Sequence, residues 1–459
     1  MKVHQIDYSS GSVTSCILRT SIPMILAELV NLLYSMVDRI YIGHIPGEGS
    51  VALTGLGLCF PIISLISAFA RLFGFNGGAP LCAMARGRGD MEEASKVMGN
   101  SFLLAALTGF VLMAIVEIFH EPILYAFGAS DITYPYARDY LLIYALGSIP
   151  VLLTLSMNAF INSQGFASVG MITVLLGAVL NIILDPLLIF VFHMGVKGAA
   201  IATVISQLVS MIFVVSFLSG GQVELKLNVK DMVLERKRCL QIVGLGTSGF
   251  TMGATNSVVQ LVCNKCAFIW GGDIYVGVMT ILNSVREVFS TPVNGIGAGS
   301  SPVMSFNYGA RNGERTRKAS DLTLLFCFIV SFVVWIVVLI APHWVSMLFT
   351  QDEAMIEAAV PSLRIYFFGF IFMAFQTSGQ QTFVALGKAK QAVFFSLFRK
   401  VIIVVPLTVI LPYFVGIYGV MLAEPISNIV GGTIAYSCMR HTVMPELKAM
   451  DEERKREGK

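Results

Sequence analysis

The sequence predicts an all-α membrane protein with twelve transmembrane helices, arranged as two six-helix bundles related by a pseudo-two-fold axis along the membrane normal. Three observations carry this expectation. Apolar runs long enough to cross a bilayer recur along the whole chain. Lysine and arginine collect in alternate loops, and the second half of the chain repeats the first.

Of 459 residues, 56% are hydrophobic and only 13% are charged, and the mean hydropathy is +0.77. Soluble domains carry roughly a quarter charged residues. A hydrocarbon core of about 30 Å needs about 20 helical residues. Runs of that length fall at 17–42, 51–76, 97–118, 134–160, 168–192, 196–218, 241–268, 274–303, 319–341, 357–383, 392–415 and 417–439. A β-barrel would instead show segments of about 10 residues with alternating polarity. Polar HQIDYSSGS precedes the first span and no small-residue cleavage site follows a short apolar core, so no cleavable signal peptide is expected.

The basic residues orient the spans. Arg86, Arg88 and Lys96 follow span 2, and Lys226, Lys230, Arg236, Lys237 and Arg238 follow span 6. Arg311, Arg315, Arg317 and Lys318 follow span 8, and Lys388 and Lys390 follow span 10. The tail adds Arg440, Lys448, Arg454, Lys455, Arg456 and Lys459, whereas the loops of opposite parity contribute only Lys197. Both termini are therefore expected on the cytoplasmic side of a cell membrane. SSGSVTS and the basic tail read as flexible ends and cytoplasmic anchors.

The repeat has an offset of about 222 residues. LLIYALG (141–147) returns as LRIYFFG (363–369), Gly165 falls over Gly387 and Pro80 over Pro302, and GVKGAAIATVIS (195–206) returns as GIYGVMLAEPIS (416–427). Six spans per half bring both halves into the membrane from the same side, the pattern of parallel transporter repeats. The expected organisation is an N-terminal lobe over 1–218, a cytoplasmic linker over 219–240, a C-terminal lobe over 241–440 and a basic tail over 441–459.

Ionisable groups at membrane depth cost about 2.5–3.5 kcal/mol each on insertion scales, so they usually face a cavity or a partner. NIILDPLLIF (181–190) places Asp185 in the outer half of span 5 with a proline directly after it. Asn181 stands four residues earlier on the same helix face, and Pro186 frees a backbone carbonyl there. Asp38 in span 1 and Thr203 in span 6 fall at a similar depth. Two carboxylates, an amide and a hydroxyl make a hard-oxygen site for Na⁺ or for a proton shared by the acids. A helix cap, or pairing of Asp185 with Arg39, is the competing reading. The second half lacks this set. Pro406 and Leu407 stand opposite Asp185, and Glu424 stands opposite Thr203, so the coupling site is expected in the N-terminal lobe alone.

MVDRIYIG in span 1, NIILDPLLIF in span 5 and GAAIAT in span 6, within a duplicated twelve-span chain, resemble the prokaryotic multidrug and toxic compound extrusion (MATE) transporters of the multidrug/oligosaccharidyl-lipid/polysaccharide flippase superfamily. The resemblance implies two six-helix bundles around a central cleft and a cation or proton site at Asp38, Asn181, Asp185 and Thr203. It implies export of bulky organic cations in exchange for inward H⁺ or Na⁺ by alternating access. The family's branch with an acidic residue in span 7 matches less well, because Asn256, Gln260 and Asn264 stand there instead.

Glu28, Asn31, Asn158, Asn162 and Gln207, with Glu287 from span 8, are candidate substrate contacts; buried hydrogen bonding between helices is the competing reading for the amides. Gln376, Gln380 and Gln381 are weaker candidates. Arg71, Arg364, Arg399 and Lys400 are expected to snorkel to the interface. The eight cysteines, including C263-N-K-C266, lack the second pair or histidines of a zinc site. No Walker motif is present, and the six histidines lie in loops or at span ends, which argues against an enzyme. The expected partners are small cationic and amphiphilic molecules and the lipid bilayer, with no cofactor and no nucleic acid, and the chain is expected to be monomeric. A lipid-linked saccharide flippase of the same superfamily is the alternative; it calls for a cationic cavity to receive a pyrophosphate headgroup.

Overall fold

The computed structural model describes residues 5–456. His4 and Lys459, both used in the sequence reading, lie outside the described residues.

Among the described residues, twelve helical stretches follow in order, counting each bent pair once and dividing the longest helix at its break. The first three are α1 (Val13–Gly43), α2 (Gly49–Gly87) and α3 (Met91–Ala126). The fourth, α4, is a pair bent by 53° (Tyr134–Leu146 and Ser148–Ser163), followed by α5 (Ala167–Val191) and α6 (Gly195–Ser219). The helix Arg236–Gly309 is broken at Gly272 (φ 68°, ψ −165°) into α7 (236–271) and α8 (273–309). Then come α9 (Gly313–Ile340), the pair α10 bent by 41° (Glu353–Phe367 and Phe370–Ala385), α11 (Ala389–Val415) and α12 (Tyr418–Arg456). The outer faces stay apolar. Phe110, Val111, Ile115 and Ile118 on α3, and Leu325, Ile329, Phe332 and Val333 on α9, are exposed at helical spacing. A band of that kind needs hydrocarbon around it.

The repeat read from the sequence recurs as backbone geometry. Both bent pairs turn at the matched glycines, Gly147 and Gly369. Gly89 and Arg311 both take positive φ one residue before a helix cap, and the caps match as well. Asp90 accepts from the Glu93 amide, and Asn312 from the Arg315 amide. Gly165 and Gly387 (φ 90° and 72°), and Gly195 and Gly416 (φ 55° and 63°), complete the set. Left-handed backbone at equivalent places is how two sequences with few identities build the same six-helix unit.

The described residues form two compact units, one of Leu26–Gly246 with residues 5–6, the other of Asp7–Ile25 and the residues from Thr247 onward. This differs from the expected 1–218 and 241–440 division in two places. Residues 7–25, including the first turns of α1, belong with the second unit. Ser21 and Ile25 pack against Gly299 and Gly295 of α8, where a Cβ would fall within 2.5 Å of their atoms. The changeover falls just after Pro23, which interrupts the α1 hydrogen-bond ladder. The expected linker is a strap on the first unit. Val223, Leu225 and Leu227 are buried, the Leu225 amide donates to Gln164 Oε1, and Arg238 forks onto Glu93.

Within the described residues, both end segments are tied to the second unit, where flexible ends were expected. The Arg315 guanidinium donates to the carbonyls of Tyr8, Ser10 and Gly11, and Tyr8 is buried. At the other end α12 runs unbroken to Arg456, with Val443, Met444 and Leu447 buried and Glu446 held by Tyr308 and Lys388. Polar composition gave the wrong reading because these segments find partners on α8, α9 and the loop after α10.

Candidate functional site

In the first unit the four oxygen-bearing residues predicted from the sequence come together on three helices. Asn181 and Asp185 share one face of α5, and Asn181 Nδ2 donates to Asp185 Oδ1 at 3.3 Å and to Thr203 Oγ1 of α6 at 3.3 Å. The Thr203 hydroxyl spends its own proton on the Ala199 carbonyl, 3.1 Å away, which leaves its lone pairs to accept. Asp38 of α1 completes the group, close enough that its carboxyl and that of Asp185 act on each other electrostatically. Asp185 is fully buried and Asn181 is 1% exposed.

Local backbone explains how α5 delivers its acid. Pro186 does not end the helix. It stays in helical geometry (φ −62°, ψ −32°) and the chain widens into one π-helical turn over Leu187–Val191. A proline without an N–H is accommodated by that wider turn, and π-turns of this kind recur at functional sites. Asp185 therefore sits at the last regular turn, aimed inward.

The electrostatics are one-sided. Asp38 Oδ1, Asp185 Oδ2 and Asn181 Oδ1 are buried acceptors with no donor, and among the described residues no lysine or arginine forms an ion pair with either acid. Arg39, the competing partner, is exposed with its guanidinium over the Phe60 ring, 4.4 Å from the centroid. Buried charge without a partner is costly. The group is an array of buried oxygens with no basic side chain paired to it. No group of three or more acidic, cysteine or histidine side chains that could hold a metal ion occurs among the described residues.

Two residues that the sequence reading missed adjoin the acids. Tyr34 lies within electrostatic range of both Asp38 and Asp185, and Tyr140 within range of Asp38. Tyr34 precedes Asp38 by four residues, so helical spacing alone placed it on the same face. Tyr140 and Tyr144 follow the same spacing on α4, with rings stacked at 6.0 Å.

The candidate substrate residues divide. Asn158 and Asn162 of α4 meet at Gly170 of α5, where a Cβ would fall 2.2 Å from Asn162 Oδ1 and 3.0 Å from Asn158 Oδ1. Asn158 Nδ2 donates to the Gly170 carbonyl at 3.2 Å while its Oδ1 is left without a donor. Gln207 Oε1 is likewise buried and unpaired. Glu28 and Asn31 on α1 and Glu287 on α8 are exposed and form no cluster within their own units. Gln380 is structural, bonded to Ala392 and Ser396.

Arg399 and Lys400 overturn the expectation of snorkelling. Their side chains are 11% and 2% exposed, and both point inward onto Glu424 of α12. Lys400 Nζ lies 3.1 and 3.2 Å from the two Glu424 oxygens, and Arg399 Nη1 lies 3.1 Å from one of them and 2.7 Å from Asn428 Oδ1. Arg286 of α8 stands 3.8 Å away. The π-helical turn Phe398–Val404 in α11 rotates both cations into the second unit. Hydropathy could not reveal this, since it reports depth along a helix and not azimuth.

Long apolar helices in two like halves, each unit holding polar and charged side chains at membrane depth, define a polytopic membrane transporter. A family model described as MatE matches residues 23–187 and 250–410, one stretch in each half. The chain belongs to the MatE family. Its members are transporters and not enzymes. The chain is 25% identical to the multidrug export protein MepA of Staphylococcus haemolyticus (strain JCSC1435), over 99% of this chain and all of that protein. It is 24% identical to MepA of Staphylococcus aureus (strain MRSA252), over 95% and 96%. Among solved structures, a MATE transporter crystallised in complex with MaL6 superposes with a TM-score of 0.89 at 24% identity, covering 96% of this chain and 98% of that one. An outward-facing multidrug resistance MATE transporter gives 0.88 at 22% identity, over 98% and 100%. The saccharide-flippase alternative finds no support in these relatives.

Proposed function

We propose that this protein is a secondary active multidrug exporter that expels bulky organic cations in exchange for inward H⁺ or Na⁺. The observation that carries the reading is the buried Asp38–Asp185 pair, with no basic partner and with Asn181 and Thr203 supplying further oxygens. Two adjoining carboxylates in a poorly hydrated pocket cannot both keep their charge uncompensated. They load a proton or a cation from one side of the membrane and discharge it to the other. Because α1, α5 and α6 all contribute, loading changes how these helices are held together, and that is the element on which alternating access turns. In the first unit Asn158 and Gln207 offer unpaired polar groups for an amphiphilic substrate beside the amide of Asn162, and the exposed Glu28 and Asn31 offer charge and amide for its cationic part; Glu287 is a further candidate contact within the second unit. The coupling and substrate assignments, the monomeric state and the cytoplasmic termini all belong to this proposal, and the export names of the MepA relatives support it.

The test is dye accumulation in a drug-sensitive bacterial host. The wild-type chain lowers ethidium accumulation, and Asp38→Asn and Asp185→Asn each abolish that effect at unchanged membrane abundance. Undiminished export in both variants overturns the coupling assignment.

A further inference from the structure

The two units carry buried polar clusters at equivalent places but of opposite sign. Thr203 and Glu424 are repeat partners, as are Tyr144 and Tyr366. In the first unit this place is acidic. In the second, Arg286, Arg399 and Lys400 surround the single carboxylate of Glu424.

We infer that the second unit holds a binding site for one small monovalent anion, of chloride size, beside Arg286, Lys400 and Asn283. Charge comes first. Three cations face one carboxylate, an excess of two positive charges, with Arg399 and Lys400 buried and Arg286 half-buried, its side chain 29% exposed. Both guanidinium groups stay protonated in any protein environment, so an excess of one remains even with Lys400 neutral. Glu287, next to Arg286 in the chain, acts on it electrostatically, but its side chain is exposed and is not buried with the group.

Hydrogen bonding comes second. Glu424 has no capacity to spare, because one oxygen already receives Arg399 and Lys400 and the other receives Lys400 again. Arg286 Nε, Arg399 Nε and Asn283 Nδ2 are buried donors with no acceptor. Unpaired buried donors are rare in folded proteins and call for a partner. One unpaired acceptor, Asn256 Oδ1, belongs to a residue that lines the same cavity, but it is neutral and leaves the charge excess standing, so the partner the cationic donors lack is an acceptor bearing negative charge.

Space comes third. A small cavity is lined by Asn256, Gln260, Asn283, Arg286, Lys400 and Glu424 together with apolar side chains, and it has room for about one water-sized particle. A phosphate or a bulky organic anion does not fit. Chloride is somewhat larger than water, and a slight outward movement of the Asn283 and Arg286 side chains admits it, with its shell completed by the Asn283 amide and the Arg286 guanidinium. Water could fill the space but would leave the charge excess unaddressed.

The test uses the full-length protein in nanodiscs of zwitterionic lipid and reads the ³⁵Cl NMR line width. Excess broadening over empty nanodiscs is expected, reversed by bromide and untouched by gluconate. Arg286→Gln should weaken chloride binding at least tenfold. Glu424→Gln, which removes the competing carboxylate, should tighten it. That opposite response separates an anion site from a mere structural ion pair, in which both substitutions would leave the line width unchanged. Wild-type broadening no greater than that of empty nanodiscs overturns the inference whatever the variants do. So does a bromide-soaked crystal with no anomalous peak beside Arg286.

Discussion

Thr203→Val gives the sharpest local test of the coupling site, because it changes one atom's chemistry at nearly constant volume. Thr203 Oγ1 accepts one of the two N–H bonds of Asn181, whose other bond goes to Asp185. Valine removes the acceptor in a fully packed setting, so one buried N–H loses its partner at a cost of about 1–3 kcal/mol. If that cost falls on the loaded state, the concentration of coupling ion giving half-maximal transport rises about five- to 150-fold. The maximal rate should hold, since neither carboxylate has been touched, and Thr203→Ser should restore wild-type behaviour because the hydroxyl is what matters. The assay is dye efflux from proteoliposomes titrated with the coupling ion, with binding of the dye measured separately. A valine variant with an unchanged half-saturation point, or a serine variant as impaired as valine, would refute the view that Asn181 must be anchored at both ends.

Other expectations concern the scaffold. Gly369→Ala should lower thermal stability more than Gly147→Ala, although both sit at matched bends. A Cβ at 369 would lie 2.5 Å from the Pro425 carbonyl oxygen, whereas at 147 the nearest atom is a Val204 methyl at 2.8 Å, and side chains yield more readily than backbone. Melting of the two variants in detergent, compared directly, decides it. In the part of α12 that extends past the apolar run 417–439, burial alone would raise the Glu446 carboxyl, but hydrogen bonds from Lys388 and Tyr308 outweigh it and hold the group below its ordinary value of 4.5. A lowered carboxylate stabilises the fold above its unfolded-state value, and the contribution fades as pH falls through the lowered one. Glu446→Gln should therefore melt below wild type at neutral pH, and the gap should close on acidification; a gap that widens in acid contradicts the assignment.

Much of this was legible in the sequence, for reasons that differ by feature. Span positions follow from the cost of leaving peptide groups unsatisfied in lipid, which forces long apolar helices. The duplication showed in small marks such as Gly165 with Gly387 and Gly195 with Gly416, because left-handed backbone restricts residue choice wherever it occurs. The Asp38–Asn181–Asp185–Thr203 group was recoverable because acids at membrane depth are rare enough to stand out. Azimuth was not recoverable. Arg399 and Lys400 lie near a span end in sequence, and only the π-helical turn of α11 turns them inward onto Glu424. The same limit hid Tyr140, whose proximity to Asp38 depends on how α4 packs beside α1. The ends misled because polar composition is shared by mobile tails and by segments whose polar groups are all engaged, as with Asp7, Ser9 and Ser10.

The central claim is that the acid pair of the first unit harvests an ion gradient. Proteoliposomes containing the purified protein, loaded with a cationic dye and given either a proton or a sodium gradient of fixed size, test it most directly. One of the two gradients should drive dye movement against its concentration in the wild type, while Asp38→Asn and Asp185→Asn still bind dye but equilibrate it no faster than empty vesicles. Gradient-driven uptake that survives loss of both carboxyl groups would contradict the account.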